Sequence, residues 1–90
     1  MLRPRFTGMF KRDRKRAGRR GEDLAKLEAV MRRLANEESL EPRWHDHKLS
    51  GEWKDFRECH IAPDWLLIYR IAGDEITFVR TGPHSDLFDE

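Results

Sequence analysis

The feature that most limits the fold is a pair of apolar, β-rich runs, LLIYRI (66–71) and ITFVRT (76–81). Both have the length and residue types of strands. The linker between them, AGDE, places Gly73 and Asp74 where a hairpin turns. A chain carrying this hairpin must build a sheet around it. Further strand-like pieces fall at 47–49 and 53–60, and LRPRF (2–6) reads as a short edge strand, because Pro4 is tolerable only at an edge.

Between that edge strand and the hairpin, the spacing predicts two helices. Thr7 is an N-cap for the first, over 8–17, with Phe6, Met9, Phe10 and Ala17 as its narrow apolar side. Gly18 and Gly21 bracket a break. The second runs over 22–36, with Leu24, Leu27, Val30, Met31 and Leu34 on one face. Glu22 and Asp23 in its first turn and Arg32 and Arg33 near its end suit the helix dipole. The expected architecture is α+β: an N-terminal strand and two helices packed on one face of a small, mainly antiparallel sheet, as one domain over 1–90.

Composition fits a polar globular domain, 38% hydrophobic and 39% charged. One cysteine, Cys59, cannot form an internal disulfide. No apolar run has the character of a signal peptide or the length of a membrane span, so the chain is expected to be soluble and cytoplasmic, with no membrane partner. The net charge of +1 hides an asymmetry. Residues 1–20 carry nine Lys and Arg against Asp13 alone, and residues 21–90 carry nine against sixteen acidic residues. Lys11, Arg12, Arg14, Lys15, Arg16, Arg19 and Arg20 therefore mark a helix that faces nucleic acid.

All four histidines lie in the second half, and His47, His60 and His84 fall near predicted strand ends. A meander returns strand ends to shared edges, so these rings can meet. One imidazole can take a proton while another gives one, which suits RNA cleavage through the substrate's own 2′-hydroxyl. That scheme needs no metal. His45 reads as a surface residue. A zinc site is the competing use of the histidines and Asp64, but the spacings match no familiar zinc pattern, and no metal or cofactor is expected.

Trp65 begins an apolar run, where a ring is usually core. Its neighbours Pro63 and Asp64 nevertheless put it at a junction where it can stack on a base. Asp64 either caps a turn or orients an imidazole. Arg57 and Arg80 lie inside strands, where each either forms a partly buried ion pair or clamps the scissile phosphate. Trp53 and Phe56 belong to the core, and Phe88 fastens the tail.

Two segments, DHKLSGEWKDFRECHIAPDWLLIYRI (46–71) and FVRTGPHSDLF (78–88), carry a more specific pattern. It comprises Asp-His, Gly-x-Trp, Arg-x-x-His, Pro-Asp-Trp, an apolar strand, and Arg-Thr-Gly-x-His ahead of Leu-Phe. The chain resembles type II toxins of the RelE/ParE superfamily, and most closely the YafQ branch. The resemblance implies a messenger-RNA interferase that cuts in the ribosomal A site. It assigns His47, His60, Asp64 and His84 to catalysis, with His60 and His84 moving protons. Arg57 and Arg80 enter the expected substrate-binding set from their place inside strands, while the resemblance has Trp65 and Phe88 shape the base-binding surface. It also implies a cognate, DNA-binding and dimeric antitoxin as partner, alongside ribosome and mRNA, with the basic helix meeting rRNA or antitoxin. Pro83, ahead of His84, departs from the usual small polar residue and stiffens the approach. A ParE-like toxin that poisons gyrase without nuclease activity, and a silent binding module, are the rival readings. The acidic pair 89–90 has no evident role.

Overall fold

A computed structural model describes residues 1–88; the acidic pair 89–90 lies outside the described residues. The elements are β1 (Arg3–Phe6), α1 (Gly8–Arg19), α2 (Leu24–Ala35), β2 (His47–Lys48), β3 (Arg57–Ala62), β4 (Trp65–Ala72), β5 (Glu75–Gly82) and α3 (His84–Phe88). They form a five-stranded sheet in the order β1-β5-β4-β3-β2. β1 lies parallel to β5, and the other neighbours are antiparallel.

The central hairpin forms where the sequence places it. Gly73 takes φ 61°, which suits a residue without a Cβ, and Ala72 then pairs with Glu75. Residues Trp65–Tyr69 of β4 are all buried because the strand has cover on both faces. Trp65, Leu67 and Tyr69 join the core beneath the helices, with Phe10, Leu27, Val30 and Phe78. Leu66 and Ile68 face the other way, against Leu87, Leu49, Trp53 and Phe56. The helices α1 and α2 thus cover one face. The 49–56 segment and α3 cover the other.

Local chemistry accounts for the helix boundaries. Thr7 Oγ1 accepts from the Phe10 amide at 3.0 Å, and its hydroxyl donates to the Val79 carbonyl at 2.7 Å, tying the start of α1 to β5. The helix continues past Ala17 to Arg19, and Gly18 within it lies so close to Leu24 that an added Cβ would meet that side chain at 3.2 Å. Asp23 is the N-cap of α2 rather than a first-turn residue, accepting from the amides of Ala25 and Lys26 at 3.1 and 3.3 Å. Met9 and Phe6, expected on the apolar side of α1, are about half exposed. The expected strand over 53–60 begins only at Arg57, because Gly51–Trp53 forms a 3₁₀ turn with Gly51 at φ 65°. Trp53 and Phe56 reach the core from this turn.

A β-bulge at Ile61 shifts the β3–β4 register between His60 and Ala62. The extra residue lets Ile61 stay buried while the strand bends beside His60. Cys59, fully buried one residue before His60, has its thiol pKa pushed up by that burial.

Candidate active site

Strand alternation places Glu58 and His60 on one face of β3, and Arg57 and Cys59 on the other. Register then brings His47 of β2 opposite Glu58. The Glu58 carboxylate, buried to 5% exposure, lies 3.2 Å from His60 Nε2 and 3.8 Å from His47 Nε2. Because a carboxylate only accepts, His60 carries its proton on Nε2 in this arrangement, leaving Nδ1 to face other partners. His47 donates from Nδ1 to the His45 carbonyl at 2.6 Å, which fixes that ring in turn.

His84 arrives from the far end of the chain. Gly82 and Pro83 turn β5 into α3, whose first residue sets its ring 6.1 Å from that of His60. Asp64, in the two-residue turn between β3 and β4, accepts from the His84 amide and ring Nδ1, both at 3.2 Å. These two bonds hold the Asp64 carboxyl below the usual carboxylate range. They also leave His84 Nε2 as the ring's open nitrogen. Phe88, one turn on, packs 6.1 Å from His84 and edge-on to Trp53 at 5.7 Å.

The sequence therefore anticipates the grouping of His47, His60, Asp64, His84 and Phe88. It misses two members. Glu58 shares a strand face with His60 two residues away, a period-two signal present in the sequence. His45, read as a surface residue, is indeed exposed, but it takes φ 48° and its ring lies 5.2 Å from that of His60, a proximity the sequence does not show. No local signal in HDH announces a left-handed residue.

Three other expectations need correction. Trp65 is 4% exposed, and its indole N–H donates to Thr81 Oγ1 at 2.9 Å, so its ring is core and not a stacking surface for a base. Arg57 points to the opposite face of β3 from His60. Its Nε donates to the Tyr69 hydroxyl at 3.2 Å and to Asp46 at 3.3 Å. Burial opposes the charge there, but those partners outweigh it and raise the guanidinium pKa. The Tyr69 phenol is pushed up by burial and by the carboxylate of Asp46. Arg80 spans both oxygens of buried Asp13, at 2.7 and 3.1 Å, and that bond raises its pKa against the effect of burial. Both arginines are thus ion-paired and neither is a phosphate clamp.

The basic helix is also divided. Arg14 pairs with Glu28, and Arg16 and Arg20 pair with Asp86 at 3.6 and 2.9 Å. Lys11, Arg12, Lys15 and Arg19 are exposed and make no ion pair among the described residues.

A small α+β sheet gathers imidazoles at one end, each held by a carboxylate or carbonyl, an arrangement that can take up and give protons. Comparison with known proteins makes the class specific. The model of the bacterial toxin of type II toxin–antitoxin system, YafQ, matches residues 2–89. The mRNA interferase toxin YafQ of Escherichia coli K12 is 39% identical over 84 residues, covering 92% of this chain and 91% of the relative. The E. coli toxin in the DinJ–YafQ complex superposes with a TM-score of 0.91 at 37% identity, over 98% of this chain and 99% of that one. A metal-bound toxin from Helicobacter pylori gives a TM-score of 0.91 at 43% identity, over 98% and 100%. The chain belongs to the YafQ family of type II toxin–antitoxin toxins.

Proposed function

We propose that this toxin is an endoribonuclease, an mRNA interferase that cuts messenger in the ribosomal A site. The observation that carries the reading is the approach of the His60 and His84 rings to 6.1 Å, each with one nitrogen held by a carboxylate. That spacing fits two imidazoles on either side of one phosphate. One takes the proton of the 2′-hydroxyl as the oxygen attacks phosphorus, forming a 2′,3′-cyclic phosphate. The other gives a proton to the departing 5′-oxygen. Glu58 and Asp64 stabilise the imidazolium form of whichever ring is charged, and each proton transfer contributes roughly a hundred- to ten-thousandfold. His47 shares the positioning work, and Phe88 shapes the surface that receives a base.

The H. pylori toxin is metal-bound, but among the described residues of this chain no group of three or more His, Cys, Asp or Glu side chains is arranged to hold a metal. No step of the reaction is routed through one. The DinJ–YafQ complex supports a cognate antitoxin as partner, and the exposed cations of α1 suit rRNA in the free toxin and acidic antitoxin residues in the complex. No helix among the described residues is long and apolar enough to cross a membrane. On this reading the toxin works in the cytoplasm, where messenger is translated.

A toeprint on translating ribosomes tests this. Wild-type protein is expected to produce new 3′ ends at A-site codons, and His84→Ala to produce none. Intact messenger at a wild-type concentration that still arrests growth would contradict it.

A further inference from the structure

A cleft of about 580 Å³ opens from His47 and His60 toward Lys26, Arg43, Trp44 and Pro63, four residues that the proton-transfer scheme does not use. The volume is within the roughly 300–1,000 Å³ typical of small-molecule sites. His45, Ile61 and Ala62 complete its lining. Two cations from separate elements converge there. The Lys26 ammonium, from α2, lies 5.6 Å from the centre of the Trp44 ring, and the Arg43 guanidinium lies 5.2 Å from it. Lys26 makes no ion pair among the described residues, and Arg43 pairs with Glu41 at an exposed position. Glu41 already offsets the charge of Arg43, so the uncompensated positive charge at the indole is that of Lys26.

Two further observations concern the same corner. His45 follows the Pro42–Trp44 turn in the left-handed region, at φ 48°, a strained conformation for a residue with a Cβ. The Trp44 indole N–H is buried with no acceptor among the described residues. The fold spends strain and an unused donor to build a cationic, apolar-walled recess contiguous with His60.

We propose that this cleft seats the RNA nucleotide next to the cut, with Lys26 and Arg43 on its phosphate and Trp44 and Pro63 as its apolar wall. The inference rests on the endoribonuclease reading for its substrate class, and it adds a binding subsite to that reading. RNA is the occupant that this chemistry favours, since it presents a phosphate and a flat apolar base together.

The test is binding of a fluorescent RNA hexamer with 2′-O-methyl groups throughout, which cannot be cut, to the purified toxin across a salt series. Lys26→Ala/Arg43→Ala is expected to weaken binding about tenfold or more. It should also flatten the slope of log K against log salt by about 0.7 for each phosphate that is no longer neutralised. Trp44→Phe, which keeps an aromatic wall, should weaken binding while leaving the salt slope alone. Unchanged affinity and slope in the double variant would overturn the inference, as would failure of the wild type to bind. The two readings fail separately. Normal His84-dependent cleavage with an unchanged double variant removes the cleft but keeps the nuclease. Variant-sensitive hexamer binding by a toxin that never cuts messenger removes the nuclease but keeps the cleft.

Discussion

Two clusters of ionisable side chains flank the central strand β4, and they are finished differently. On the β5 side, Arg80 engages both oxygens of Asp13, which also accepts from the Thr81 amide at 3.2 Å. The Thr81 hydroxyl donates to the Leu66 carbonyl at 2.8 Å and accepts from the Trp65 indole. Asp13 and Thr81 are buried, and the network links α1, β5 and β4. On the β3 side, His47, His60 and His84 each have one nitrogen bound, and their side chains are 49, 24 and 44% exposed. A closed network has no proton to exchange with a substrate and only holds the fold. An open one holds its rings in place and keeps a nitrogen for chemistry.

That contrast is broken most forcefully at Asp13. Asp13→Ala leaves the partly buried Arg80 guanidinium without its two-oxygen partner and is expected to destabilise the fold by about 2–3 kcal/mol. Urea denaturation measures the loss. A change below about 1 kcal/mol would mean that water already solvates the pair. Replacing both partners together with apolar residues should recover much of the stability, because the isolated charge is then gone.

A smaller effect is expected at Trp65. Trp65→Phe keeps most of the apolar packing but strands the Thr81 hydroxyl without its indole donor, costing about 1–2 kcal/mol. Cleavage per folded molecule should not change. A fall in cleavage with thermal stability intact would return this ring to the RNA-facing surface.

The smallest effect belongs to the exposed end. The Asp64 carboxyl titrates lower in the folded chain than in the unfolded one, because the His84 amide and ring bind its charged form. The pairing of this carboxylate with His84 is therefore fully present above the ordinary carboxyl pKa near pH 4. It disappears as pH falls through the lowered folded value. Carbon-13 NMR of the Asp64 carboxyl should give a midpoint below that of a free aspartate, and His84→Ala, which removes the ring but keeps the backbone amide, should bring it only part of the way back. An unshifted midpoint in the wild type would dissolve the pairing.

The elements that the sequence reveals are those whose causes are local. Gly73 and Asp74 carry their own turn, Thr7 its own cap, and the α2 stripe its own period. The strand alternation that groups Glu58 with His60 is local too, but it appears only when the pair is read together. Trp65 misleads because Pro63 and Asp64 do mark a turn, while the Ile61 bulge and the Thr81 hydroxyl, sixteen residues on from Trp65, draw the ring inward. Asp13 sits in a basic run and reads as a solvated exception. Its burial depends on Arg80, sixty-seven residues away. Likewise, the commitment of Arg57 to Asp46 and Tyr69 follows from register, which a single sequence does not spell out.

The central claim, that the open histidine cluster performs the chemistry while the closed network only supports it, is tested most directly by measuring two quantities on His60→Ala. These are the rate of messenger cleavage on programmed ribosomes and the melting temperature. The account predicts a loss of cleavage of about a hundred- to ten-thousandfold, with a melting temperature close to that of the wild type. Cleavage at the wild-type rate by a folded His60→Ala protein would contradict it.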